Sequence, residues 1–195
     1  MKLGILIPFR ANVYPEAVVS WFNMVGSLMR MPGVECRYYF VLQAHVHTAR
    51  TALLRDALSN EVDWMLWLDD DAVPPPDIFS LLLAHADKAD VIAPWFTAKN
   101  GDSVTYERGE DKGPNLPRIQ GGRYVGGTGF HCVLMSPAAG REVTKLTDNT
   151  PFNAPMSDGS CTGEDVWFFM HLALTGMRVW QDCDIHVGHI GTKIV

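Results

Sequence analysis

Through its first 95 residues the chain alternates two hydrophobic rhythms, and this alternation limits its possible folds more than any other feature. Residues 3–8 are a short apolar run closed by proline, the pattern of a buried strand. Val18, Trp21, Phe22, Val25, Leu28 and Met29 then recur at helical spacing until Pro32-Gly33 ends the segment. Residues 34–42, rich in β-branched and aromatic side chains, predict a second strand. A helix is expected over 48–58, a third strand over 64–68, a helix over 78–85 after Pro74-Pro75-Pro76, and a fourth strand over 91–93. Strand alternating with helix predicts an α/β chain whose parallel sheet carries helices on its faces. In such sheets ligands bind beyond the carboxyl ends of the strands. Pro8 to Arg10, Gln43 and Asp69-Asp70-Asp71 all fall at such ends.

The second half is less regular. Residues 100–117 are polar with glycines and prolines, as in a loop or linker. Gly121-Gly122 and Gly126-Gly127-Thr128-Gly129 bracket short strands, the second continuing over 130–135. A helix is expected over 163–175, ended by Gly176, followed by strands over 178–180 and 185–190.

With 195 residues the chain is about one domain and large enough to bury a core without disulfides. Its formal charge of −6, with no basic run, argues against a protein that works by neutralising nucleic-acid phosphates. No apolar stretch is long enough for a transmembrane segment, and residues 1–8 lack the features of a secretory signal. Cys36, Cys132, Cys161 and Cys183 are scattered without a C-x-x-C pair, which predicts reduced thiols and a cytoplasmic protein.

Three clusters carry chemistry. The apolar run 64–68 ends in Asp69-Asp70-Asp71, three carboxylates that repel one another unless something positive binds there. Asp69 and Asp71 share a side if strand geometry persists, and a hard divalent cation would satisfy both. An acidic turn ahead of a proline-fixed helix is the plainer alternative. Gly163-Glu164-Asp165 opens a helix; Thr162 as an N-cap, with acids at the positive helix end, would explain it structurally. Late in the chain, His189 lies between glycines that allow close backbone approach to a ligand. Cys183, His186 and His189 lack a fourth spaced zinc ligand, and His186 would face away from the other two on a strand. His45 and His47 read as polar loop residues.

Pro8-Phe9-Arg10 after the first strand, Ala49-Arg50-Thr51, the D-x-D triplet, Gly163-Glu164-Asp165 and the late histidine together resemble the GT-A fold glycosyltransferases, in particular compact family 2-like members. The resemblance runs in order over nearly the whole chain. It implies a Rossmann-like, mixed, mostly parallel sheet flanked by helices, in one domain over 1–195. Residues 1–98 would form its nucleotide-binding half and 99–195 its acceptor side. It implies transfer of a sugar from a nucleotide-sugar donor to an acceptor, which could be a glycan, a small molecule or a modified nucleobase. Pro8, Phe9, Arg10, Gln43, Arg50, Asp69, Asp70, Gly127 and Lys193 would contact the donor. Asp69, Asp71 and His189 would hold Mn²⁺ or Mg²⁺. Asp165 would be the general base, with Glu164 beside it, and Trp95 a stacking platform. Gln43 stands where many relatives carry an acid that reads the base, and Thr51 where asparagine is common.

The chemistry follows the same residues. A divalent ion on Asp71 and His189 would neutralise charge on the leaving diphosphate, and imidazole among the ligands favours Mn²⁺. A base at Asp165 would activate an acceptor hydroxyl, giving direct attack and inversion, whereas on a retaining route Asp165 would orient the substrate instead. Two rival expectations remain at this point. Asp69-Asp70-Asp71-Ala72-Val73 also fits a haloacid-dehalogenase-type phosphatase, with Asp69 as nucleophile and Asp71 as acid/base. A nucleotide-sugar-binding module without turnover is the other.

Overall fold

Strands from both halves of the chain enter one central sheet, in a computed structural model that describes residues 1–10, 13–42, 44–99, 101–107, 115–157, 160–161 and 163–191. In chain order the first elements are β1 (Lys2–Phe9), α1 (Pro15–Leu28), β2 (Glu35–Leu42), α2 (Val46–Ser59), β3 (Trp64–Leu68), β4 (Ala72–Val73) and α3 (Ile78–Leu83). Then follow β5 (Val91–Trp95), β6 (Gly122–Val125), β7 (Cys132–Met135), α4 (Pro137–Leu146), β8 (Met156–Ser157) and β9 (Ser160–Cys161). The chain closes with α5 (Glu164–Leu174), β10 (Val179–His186) and β11 (Gly188–His189).

The sheet has seven strands in the order β2-β1-β3-β7-β5-β10-β6. β1 pairs in parallel with β2 and β3, and β5 with β10. β7 is antiparallel to both β3 and β5, and β6 to β10, so five of the seven strands share one direction. The sheet is therefore mixed and mostly parallel, as expected. Parallel strands covered on both faces read as continuous apolar runs, because alternate side chains enter two different cores. Leu6, Met65 and Trp67 face the core under α2, α4 and α5, with Phe130, Phe168 and Phe169. Ile5, Ile7, Leu66 and Leu68 face the other, with Met24 and Leu28 of α1 and Phe79 and Leu82 of α3.

Three details differ from expectation. Helix α1 buries Ala17, Ser20, Met24 and Leu28 and leaves Phe22 and Met29 outside; it carries more apolar residues than one face holds, so periodicity selects a rotated stripe. Helix α4 has no counterpart in the sequence reading. Ser136 caps it by accepting from the Ala139 amide, and Pro137 opens it. The expected strands over 178–180 and 185–190 are one long β10 followed by the two-residue β11. No helix among the described residues is long and apolar enough to cross a membrane.

Candidate active site and metal centre

The backbone ladder builds the acidic site. β3 ends at Leu68, paired with Cys132 of β7, and the next step brings the Asp69 amide onto the His131 carbonyl at 3.0 Å. On the other flank β11 pairs with β4, setting His189 opposite Ala72, and the Ile190 amide donates to the Asp71 carbonyl at 3.1 Å. Asp71 is thus held between two histidines that lie far away in sequence. The His131 and His189 rings approach to 4.2 Å between centroids.

Each ring is oriented through its outer nitrogen. His131 Nε2 lies 3.0 Å from the Gly188 carbonyl, and His189 Nδ1 lies 2.9 Å from the Thr97 carbonyl. A carbonyl only accepts, so each of these nitrogens carries the hydrogen of the neutral ring, and the inner nitrogen keeps its lone pair. His189 Nε2 points at Asp71 Oδ2, 3.3 Å away. His131 Nδ1 lies 3.5 Å from Asp71 Oδ1 and 3.8 Å from Asp69 Oδ2. Asp71 Oδ1 and His131 Nδ1 are both buried without a hydrogen-bond partner. Two lone pairs facing each other in a buried site are an arrangement that a cation placed between them would satisfy. Ligand atoms of Asp71, His131 and His189 all lie within 4.8 Å of one another. Their outer hydrogen bonds are of the kind that fix metal-binding imidazoles.

Burial opposes ionisation of Asp71, yet hydrogen bonds from His189, when its Nε2 also carries a proton, and from Lys99 outweigh it and hold the carboxyl far below the ordinary carboxylate range. Asp69 is also lowered: burial again opposes, and the charge of Arg50 prevails. Arg50, only 3% exposed, reaches Asp69 Oδ1 at 2.7 Å and also pairs with Glu164. Its guanidinium sits over the Phe130 ring at 5.3 Å. Arg10 grips Asp70 through its amide (2.7 Å) and Nε (3.3 Å), and reaches Asp71 Oδ2 at 3.2 Å.

Beside this cluster opens a cleft of about 410 Å³ lined by Pro8, Phe9, Arg10, Ala44, His45, Val46, Arg50, Asp69, Asp70 and Glu164. Seven of the residues singled out from the sequence therefore share one cavity, within the size range of small-molecule sites. Asp165 flanks it at the start of α5, its Oδ1 accepting from the Val166 amide. Burial and the charge of Glu164 push its carboxyl up.

Other expectations meet different surroundings. Gln43, Lys193 and Thr162 lie outside the described residues. Asp69, expected on the metal, is committed to Arg50 and is not one of the three clustered ligands. Gly127 is buried: a Cβ there would collide with the Tyr106 ring and lie 2.7 Å from Phe169 Cβ. Trp95 is a buried strand residue rather than an open stacking face. Cys183 is buried in β10 and His186 exposed, so neither joins His189. His131 is the candidate ligand that sequence reading misses. Its one sequence signal is a histidine inside the apolar run Phe130-His131-Cys132-Val133-Leu134-Met135.

The sequence profile of glycosyl transferase family 2 matches residues 40–145, which include α2, the three aspartates and His131. No curated protein matches the sequence. Among solved structures, A197 from STIV is similar at 17% identity with a TM-score of 0.68, over 97% of this chain and 86% of that one. The catalytic domain of Drosophila beta1,4galactosyltransferase 7, solved with xylobiose, is similar at 16% identity with a TM-score of 0.59, over 98% and 71%. These likenesses concern the fold, and the architecture is that of the GT-A class.

Proposed function

The chain belongs to glycosyl transferase family 2, and from that premise we propose that it transfers a sugar from a nucleotide-sugar donor to an acceptor hydroxyl with the help of a divalent ion. The observation that carries this reading is the pair of facing, unpartnered lone pairs on Asp71 Oδ1 and His131 Nδ1, beside His189 Nε2 and the 410 Å³ cleft. Asp71, His131 and His189 would hold the ion; two imidazoles and one carboxylate favour Mn²⁺ over Mg²⁺. When bound, the ion would supply Lewis-acid neutralisation of the departing diphosphate.

The chain's own residues do the rest. Pro8 and Phe9 form the apolar wall against which a base would lie, with the Phe9 ring braced by Trp21 and Phe40. Asp70 orients Arg10, and Asp69 with Glu164 orients Arg50, so two guanidinium groups stand at the cleft in fixed poses. Asp69 and Asp70, which line the cleft themselves, can accept from donor hydroxyls. Asp165 takes the proton of the acceptor hydroxyl, for which its raised carboxyl suits it. Gly127 packs against Tyr106 and Phe169 rather than lining the cleft, so it serves the donor only by supporting the wall of the site. Attack assisted by Asp165 inverts the anomeric carbon. The phosphatase alternative needs Asp69 as a free nucleophile, whereas Arg50 engages that carboxylate.

A thermal-shift screen of nucleoside diphosphates and nucleotide sugars, with and without Mn²⁺, tests the reading. A ligand at roughly 100 times its Kd stabilises by about 2.7 kcal/mol, equivalent to roughly 5–10 °C for a chain of this size. We expect that shift only with Mn²⁺, and its loss together with sugar transfer in Asp71→Ala. Normal transfer by Asp71→Ala would rule the metal role out. Metal-dependent binding with no transfer to any acceptor would point to a binding module, and phosphate release from an aryl phosphate to the phosphatase.

A further inference from the structure

Asp71 is unevenly surrounded. Its Oδ1 has no hydrogen-bond partner, whereas Oδ2 gathers Lys99 Nζ at 2.9 Å, Arg10 Nη2 at 3.2 Å and His189 Nε2 at 3.3 Å. The two permanent cations differ in how they are held. Arg10 is tied to Asp70 by three nitrogens and is anchored whatever happens at Asp71. Among the described residues the ion pair that Lys99 makes is with Asp71, and its side chain is 40% exposed to solvent. The segment that carries it leaves β5 and folds back on itself, with Thr97 bridged to Ser103 and the Ala98 amide donating to the Asp102 carbonyl at 2.8 Å. That same turn supplies the Thr97 carbonyl that orients His189.

A divalent ion held by Asp71, His131 and His189 would meet the Lys99 ammonium across a single carboxylate that is 1% exposed. Whichever oxygen the ion takes, like charges so close together in a poorly solvated site repel strongly. Lys99 can yield because water replaces its partner; Arg10 cannot without also breaking its hold on Asp70.

We propose that Lys99 is an internal stand-in for the metal: its ammonium neutralises Asp71 while no ion is bound, is displaced when the ion arrives, and then contributes its charge to the donor's diphosphate. The inference rests on the metal-dependent reading above and adds a residue to it. A lysine fits the part better than an arginine, being a compact charge on a flexible stem with no fixed fork to lose.

The test needs no turnover. Mn²⁺ is titrated into the wild-type chain, Lys99→Met and Lys99→Arg, with free Mn²⁺ followed by its electron spin resonance signal. Inorganic pyrophosphate is then titrated into each Mn²⁺-loaded protein by calorimetry. Lys99→Met is expected to bind Mn²⁺ about three- to tenfold more tightly, since the competing cation is gone, and pyrophosphate weaker by a similar factor. Lys99→Arg should restore both values toward wild type. Unchanged or weaker Mn²⁺ binding by Lys99→Met, with wild type binding normally, would overturn the stand-in role and leave the metal reading intact. Tighter Mn²⁺ binding with unchanged pyrophosphate affinity would overturn the transfer of charge to the donor. If none of the three proteins binds Mn²⁺, the metal reading itself fails and the proposal falls with it.

Discussion

Arg50 carries two carboxylates on one buried guanidinium, Asp69 on one side and Glu164 on the other, so a residue of α2 couples the acidic turn to the start of α5. Next to that pair, Asp165 is held in a different electrostatic state. Burial and the neighbouring charge of Glu164 make its ionised form less favourable in the folded chain than in the unfolded one. Below about pH 4, the ordinary carboxylate value, both states are protonated and the group costs nothing. As pH rises the unfolded chain ionises first, so stability falls until the raised folded value has been passed. Asp165→Asn removes that cost while keeping an acceptor for the Val166 amide. Its Tm should exceed the wild type's by a few degrees near neutral pH and converge with it near pH 4, in parallel thermal melts. Sugar transfer by the variant should be lost. Equal melting temperatures at every pH would contradict the raised carboxyl.

Between β6 and β7 the chain passes Tyr106 and Phe169 at a distance that only glycine permits. Gly127→Ala would push a methyl group into the Tyr106 ring and to 2.7 Å from Phe169 Cβ. Overpacking of this kind costs about 1–3 kcal/mol, so a Tm drop of roughly 2–10 °C is expected, with metal affinity unchanged. The elements that were legible in the sequence are those whose burial is uniform. β3 matches its expected bounds because every side chain of Trp64–Leu68 is covered on one face or the other. Helix α4 escaped notice although Ser136-Pro137 is a start signal, because its buried face carries Ala139 and Gly140 instead of bulky residues. A Cβ on Gly140 would lie 2.7 Å from Leu54 of α2, so close helix contact has removed the hydrophobic rhythm that periodicity detects. β10 reads as two pieces in the sequence because Asp182 and Asp184 alternate outward between buried Gln181, Cys183 and Ile185.

Across the whole molecule the candidate metal centre joins three remote segments, at residues 71, 131 and 189. Asp71 and His189 could be picked out because carboxylates at a strand end and a histidine between glycines are local patterns. His131 could not, since its place is set by the antiparallel pairing of β7 with β3, which no local window contains. An ion bound by all three would slow opening of all three together. Hydrogen exchange with and without Mn²⁺ should therefore show added protection in residues 69–73, 129–133 and 186–190 at once. Protection confined to the acidic turn would mean that the histidines do not take part. The acidic turn is also pinned from outside the sheet: Ser20 Oγ donates to the Pro74 carbonyl at 2.5 Å, and Trp21 Nε1 to the Ala72 carbonyl at 3.0 Å. Two hydrogen bonds thus tie helix α1 to the turn that carries Asp71, so a partner pressing on the helix's outward side chains, Val19 and Phe22, would have a direct mechanical route to the candidate metal centre.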